Sequence, residues 1–231
     1  MRLSPAVEAI VAARRRVPEE RAALVALSGI DGAGKGVIAA RLAAALERRA
    51  IRVAVTNVDG WLNLPDRRFG AENKPEHFYR NAIRFEEMFD TLILPLQKRR
   101  SIRVEADFTE ENSTSYRRHL YAFDDVHVIL LEGIYLLQPR FRSSYDLAIW
   151  IECTFETALR RAVARSQEGL SAEDTARAYR SIYFPAQEIH FERDHPTRLA
   201  DLVVTNDEHP ETPDLPPASN WRSPRTRAKE S

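Results

Sequence analysis

Apolar and polar residues fall into alternating blocks whose spacing switches between strand-like and helix-like. Residues 23–29, Ala-Leu-Val-Ala-Leu-Ser-Gly, form a nearly unbroken apolar run that predicts a first strand. After a glycine-dense turn, a helix is predicted from about Lys35 to Arg49, with Val37, Leu42, Ala45 and Leu46 available for burial. Residues 51–58 read as a second strand that ends at Asp59-Gly60-Trp61. From Glu76 to about Leu94, the residues Ala82, Phe85, Phe89, Leu92 and Ile93 recur at helical spacing, and Pro95 is expected to end or kink that segment. Further strands are predicted within 101–108, at 126–131, at 145–151 and at 202–205. The apolar run at 126–131 fits a strand buried on both faces. Thr154 is placed to cap a helix reaching Arg165, and Ser171 to open another that runs toward Tyr183 and Pro185. Residues 109–121 are polar and give no clear period.

Strands that alternate with helices predict a mostly parallel sheet with helices on both faces. Before it, residues 1–21 predict an amphipathic packing helix ending near Pro18, with Ala6, Ile10, Val11 and Ala13 on its apolar side. After it, residues 208–231 carry five prolines and no apolar period, the composition of a disordered tail. The 231 residues suffice for one domain with a small lid. Lys plus Arg and Asp plus Glu balance at 34 each, so no overall field favours nucleic acid or an anionic membrane. No run approaches membrane-spanning length, and no signal-peptide pattern opens the chain. Cys153 is the only cysteine, which excludes an intrachain disulfide and suits a reducing, cytoplasmic setting. The six histidines show no metal-ligand spacing.

Candidate chemistry concentrates in the turn after the first strand. Four of the eight glycines (Gly29, Gly32, Gly34, Gly36) fall within eight consecutive positions. Glycine lets the backbone wrap so that successive N–H groups point at one anion, and the following helix adds its positive end. Gly29-x-x-x-x-Gly34-Lys35 fits the P-loop pattern, placing Lys35 to reach the β- and γ-phosphates of a nucleotide. Gly29, Asp31, Gly32, Ala33, Gly34, Lys35, Gly36 and Val37 are therefore expected to hold ATP. Gly36 stands where a Ser or Thr hydroxyl usually meets Mg²⁺.

Two carboxylates fall at other strand ends, Asp59 and Glu132, and in a parallel sheet such ends gather at one edge. A phosphate cradle with a lysine, a base and metal-supporting carboxylates is the set that phosphoryl transfer needs. Arg161 and Arg165, four apart on one helix, would welcome an anion nearby, and solvated surface is the plainer reading.

Gly29 to Gly36, Asp59-Gly60-Trp61, Leu131-Glu132-Gly133-Ile134 and Tyr183-Phe184-Pro185-Ala186, in this order, resemble the uridine kinase, phosphoribulokinase and pantothenate kinase superfamily of P-loop kinases. The resemblance covers about residues 22–207 and implies a three-layer P-loop sandwich with a small helical lid over about 161–195. It further implies ATP as donor, Mg²⁺, and a small hydroxylated acceptor as partner. By that likeness Asp59 is the base, Glu132 and Asp59 support the metal, and Arg165 is a lid arginine beside Lys35 in the catalytic set. The superfamily is also compatible with a homo-oligomer.

The departures concern the acceptor. Uridine kinases usually carry Asp-Ser-Phe-Tyr where this chain has Asp59-Gly60-Trp61-Leu62, a form closer to the pantothenate and sugar kinase branch. A Tyr-Asp-Phe segment that helps hold uracil appears as Ala106-Asp107-Phe108, and a nucleobase-contacting histidine aligns with Glu111. Further lid arginines fall at Leu170 and Ala172. Trp61 and Tyr79 either line the acceptor site or serve packing, and Glu111 and Arg161 complete the candidate substrate set. Three readings stay open: a uridine kinase-like enzyme, a kinase for a sugar or pantothenate-like alcohol, and a nucleotide-binding regulatory module.

Overall fold

In a computed structural model, residues 3–70, 72–165 and 170–207 are described. The first helix, α1 (Ser4–Arg16), has Pro5 in its first turn and three arginines in its last, where they complement the negative helix end. Its apolar side, Ala6, Val7, Ile10, Val11 and Ala13, is buried against the main core. Strand β1 (Ala23–Gly29) leads to α2 (Lys35–Glu47) and then β2 (Val53–Asn57). A 3₁₀ turn over Val58–Trp61 precedes the short helices α3 (Pro65–Phe69) and α4 (Lys74–Asn81). Next come α5 (Phe85–Met88), a π turn over Phe89–Ile93, and α6 (Leu94–Arg99). The hairpin strands β3 (Ile102–Phe108) and β4 (Arg117–Phe123) follow, then β5 (Val128–Gly133), α7 (Pro139–Arg142), β6 (Leu147–Glu152) and α8 (Phe155–Arg165). The described chain closes with α9 (Ala172–Ala178), a π turn over Tyr179–Tyr183, α10 (Phe184–Asp194), α11 (Pro196–Leu199) and β7 (Leu202–Thr205).

Five strands form one parallel sheet in the order β2-β5-β1-β6-β7. The central β1 and β5 are buried throughout, which is why they read as apolar runs, while the edge strand β2 alternates. Strand β4 is an addition to the sequence-based elements: it pairs antiparallel with β3, from Ile102–Phe123 to Phe108–Arg117, in a separate two-stranded sheet. Its residues are exposed or half-buried, so residues 117–123 show no apolar alternation. The predicted tail, 208–231, lies outside the described residues.

At two prolines the helical path goes further than the sequence pattern alone indicates. The helical path runs through Pro95 to Arg99, and again through Pro185 to Asp194. In both cases a π turn comes just before: the Leu94 N–H donates to the Phe89 carbonyl, and the Phe184 N–H to the Tyr179 carbonyl. The wider turn shifts the carbonyls that the proline ring would otherwise crowd, so the helical path continues past the proline. Val37 is a correction. The helical spacing offered it for burial, yet it is 39% exposed, because it sits in the first turn of α2 at the mouth of the glycine turn.

Candidate active site

The glycine turn keeps its shape through backbone conformations and neighbours that side chains would obstruct. Gly32 and Gly34 both have positive φ, 78° and 82°. A Cβ on Gly32 would lie 2.6 Å from the Ala158 carbonyl oxygen of α8, and one on Gly34 would lie 2.7 Å from Nδ2 of Asn206. Distant segments grip the loop at two points, one of them braced by Arg161. Asn206, just after β7, donates from Nδ2 to the Ala33 carbonyl at 2.7 Å. Arg161 of α8 donates to the Asn206 carbonyl at 2.8 Å. The Tyr179 hydroxyl, in the second π turn, donates to Oδ2 of Asp31 at 2.8 Å. Lys35 is buried and donates from Nζ to the Ile30 carbonyl at 2.9 Å, folded over its own loop. Arg165 is exposed at the end of α8.

The two carboxylates meet through a residue that the motif reading passed over. Asn57 ends β2 in register with Glu132 of β5. Its Nδ2 donates to Oε1 of Glu132 at 2.6 Å, while its Oδ1 accepts the backbone N–H of Asp59 at 2.6 Å. One amide thus orients Glu132 and caps the turn that presents Asp59. An Asn two residues before the acid, at a strand end, was a readable signal for such a turn.

Glu132 is 6% exposed, and burial pushes its pKa up to about 7, with the Asp59 charge adding to the rise and Lys35 opposing it. Asp59 also titrates above the ordinary aspartate range: lost hydration is the main cause, and the Lys35 charge is the main opposing one. Asp59 is nonetheless exposed to solvent, as for a side chain standing in a cleft walled by protein. Lys35, Asp59, Glu132 and Arg165 act on one another electrostatically, and Asp31 bears on Asp59.

This donor set fits Mg²⁺. Carboxylate oxygens are the hard ligands it prefers, and it usually keeps several waters beside phosphate oxygens. Among the described residues no three His, Cys, Asp or Glu side chains converge, so the protein would supply two carboxylates and not a full cage. Gly36 contributes no side-chain oxygen, but a Cβ there would lie 3.4 Å from Oε1 of Glu132. The place of the usual hydroxyl therefore faces Glu132.

The candidate acceptor residues are distributed around this centre. Trp61 is fully buried and stacks on Tyr121 of the hairpin, ring centroids 5.5 Å apart. Gly60 permits that cover, since a Cβ there would lie 2.8 Å from the Phe108 ring. The departure from Asp-Ser-Phe-Tyr thus has a local reason: the hairpin rests directly on the turn. Glu111 accepts the Arg68 guanidinium on its backbone carbonyl. Tyr79 donates its hydroxyl to Oδ2 of Asp194 at 2.6 Å. Arg161 lies against the cradle near Gly34. Of the expected lid, 166–169 lie outside the described residues, and α10 buries Phe184, Ala186, Gln187 and His190 in the core.

Comparison with known proteins bears on this arrangement at the level of family. The profile of the phosphoribulokinase / uridine kinase family matches residues 24–185, well over half of the chain. The chain belongs to this family. That makes it a P-loop kinase of the uridine kinase and phosphoribulokinase type, and the parallel sheet is the family's fold. A Bacillus stearothermophilus protein described as a possible uridine kinase superposes with a TM-score of 0.67 at 17% identity, covering 88% of this chain and 99% of that one. A Silicibacter sp. TM1040 protein described as a putative fructose transport system kinase gives 0.72 at 22% identity, with the same two coverages of 88% and 99%. D-glycerate 3-kinase from Cryptococcus neoformans gives 0.59 at 11% identity over 80% of this chain and 87% of its own. At these identities the solved structures speak for the fold alone. Family membership leaves the acceptor unassigned.

Proposed function

We propose that the protein transfers the γ-phosphoryl group of ATP to a hydroxyl of a small molecule, as a uridine kinase-like enzyme. The observation that carries this reading is the Asn57 bridge, which fixes Asp59 and Glu132 together within the electrostatic reach of the cradle lysine. The cradle would hold the phosphates through backbone N–H groups, and Lys35 would leave the Ile30 carbonyl for the β- and γ-oxygens. Asp59, open to the cleft, would accept the acceptor hydroxyl proton as the new O–P bond forms and the bond to the ADP oxygen breaks. Mg²⁺, held by Asp59 and Glu132, would neutralise charge on the phosphates. Arg165, at the end of α8, would close over them from the lid side.

A sugar-like or pantothenate-like alcohol is the second reading for the acceptor, favoured by the Gly60-Trp61 turn packed beneath the hairpin. We place the enzyme in the cytoplasm, on the strength of its single buried cysteine; no described helix is long and apolar enough to cross a membrane. ADP release with ATP and Mg²⁺, measured across nucleosides, sugars and vitamin-like alcohols, tests the function. Acceptor-dependent release with at least one of them is expected. ATP binding with no acceptor-dependent release would make the protein a regulatory module instead.

A further inference from the structure

The turn that presents Asp59 is held from outside at three consecutive carbonyls. The Thr109 N–H, just past β3, donates to the Gly60 carbonyl at 3.4 Å, and the Arg84 N–H donates to that of Trp61 at 2.9 Å. Nε of Arg84 donates to the Leu62 carbonyl at 3.3 Å. Two of the three bonds thus come from one residue, which no motif of the sequence singles out. Its neighbours keep the same register: Leu62 bridges Ile83 antiparallel, and the Asn63 N–H donates to the Ala82 carbonyl at 2.9 Å.

The rest of the Arg84 side chain is engaged as well. Nη2 donates to the Asp107 carbonyl of β3 at 2.6 Å, and Nη1 lies 2.6 Å from Oε2 of Glu87, three residues on in α5. The guanidinium carbon stands 4.6 Å from the centroid of the Tyr116 ring and 5.4 Å from that of Trp61. Only 10% of the side chain is exposed. A guanidinium removed from water is costly unless its donors are met, and each of its three nitrogens has a partner here. One residue therefore joins four pieces of the fold: the Asp59 turn, strand β3, the loop that leads on to β4, and α5.

Asn57 fixes the entry to the turn through the Asp59 N–H, and Arg84 fixes its exit at Trp61 and Leu62. A carboxylate on a turn held at one end swings with it, and a displacement of about 1 Å at a reacting group costs on the order of 100-fold in rate. The position calls for arginine in particular. A lysine keeps the charge for Glu87, but its single nitrogen does not serve Leu62, Asp107 and Glu87 in one plane, and it has no flat face to lay against a ring.

We propose that Arg84 is a positioning residue for phosphoryl transfer, whose side chain acts through the Leu62 carbonyl and the Trp61 ring to hold the Asp59 carboxylate where it meets the acceptor hydroxyl. This rests on the kinase reading above, with Asp59 as the base. Arg84 takes no proton and binds no phosphate in this scheme. Its influence on the reaction passes through the turn, so it is felt only while the Asp59 carboxylate is there to be positioned.

The test is Arg84→Lys, alone and combined with Asp59→Asn, assayed well below the melting temperature of each protein with an acceptor that the parent phosphorylates. Arg84→Lys should lower kcat roughly 10- to 30-fold, with the KM for ATP and ATP affinity by calorimetry within about twofold of the parent. In the Asp59→Asn background, where the base is already gone, the same substitution should lower kcat by less than about twofold more. An arginine that serves only the fold gives the same loss in both backgrounds, and that result would overturn the proposal. Parent-like kcat in Arg84→Lys would overturn it too, while leaving the kinase reading intact. Should Arg84→Lys not fold, Tyr116→Leu takes its place, since it removes one of the two rings beside the guanidinium and none of the bonds to the turn. It should lower kcat roughly 3- to 10-fold, again only while Asp59 is present, and an unchanged kcat counts against the proposal. ATP binding with no acceptor-dependent turnover in the parent overturns both this proposal and the kinase reading.

Discussion

Replacing Glu132 with Gln removes a buried carboxylate that titrates near 7 while keeping an oxygen for the Asn57 amide. In the unfolded chain this group titrates at its ordinary 4.5, so the folded protein holds the proton more tightly than the unfolded one. The protonated form therefore stabilises the fold. That stability is fully present below about pH 4.5 and is lost as pH rises through about 7. The gap corresponds to about 3 kcal/mol, with burial as the larger cause and the Asp59 charge as the next. Glutamine does not ionise and escapes the loss. In metal-free buffer with a chelator, Glu132→Gln should match the parent near pH 4.5 and exceed it by about 3 kcal/mol at pH 8. For a chain of this size that amounts to roughly 6–12 °C in melting temperature. Thermal melts of both proteins across this range give the answer. A stability difference that stays constant with pH, or a variant less stable than the parent at pH 8, would refute the reasoning. The same carboxylate, costly when bare, is what a divalent cation would stabilise, so the site holds its charge at the expense of the apo fold.

Three further outcomes follow from the same geometry. Asn57→Ala frees both carboxylates and should lower kcat roughly 10- to 100-fold with ATP affinity little changed, as read by steady-state kinetics beside nucleotide titration. Gly36→Ser should fold normally, since its Cβ would meet Oε1 of Glu132 at an ordinary 3.4 Å, and should reduce the Mg²⁺ concentration for half-maximal activity on the order of 3- to 10-fold. An unchanged Mg²⁺ requirement would count against the proposed facing of Gly36 and Glu132. Tyr179→Phe removes the grip on Asp31 and should cost about 1 kcal/mol of stability and weaken ATP binding roughly 5-fold, measured by denaturant melts and calorimetry.

What could be read from sequence was local, and what could not depended on tertiary contact. The cradle was legible because Gly29 to Gly36 lie together between an apolar run and a helix, and Asp59 and Glu132 because each falls near the end of an apolar run, Asp59 two residues after β2 and Glu132 one residue before the end of β5. Strand β4 was hidden: Arg117, Arg118 and His119 lie on a two-stranded sheet whose pattern is not set by a shared core. The extent of the helices past Pro95 and Pro185 was not legible, because a π turn before each lets the helix continue, and the register of such a turn is a matter of packing. Val37 fell on the helical period but at the turn's open mouth. Asn57 was visible as a turn former, whereas its bond to Glu132 depends on β2 lying beside β5.

The central claim is that Asp59 takes the acceptor proton at a phosphate cradle, and Asp59→Asn tests it most directly. The substitution keeps size and the backbone N–H bonded to Asn57 while removing the base. With the acceptor that the parent phosphorylates, kcat for ADP release should fall at least about 100-fold, and ATP binding by calorimetry should stay within roughly threefold of the parent. An Asp59→Asn protein that turns over as fast as the parent would contradict the account.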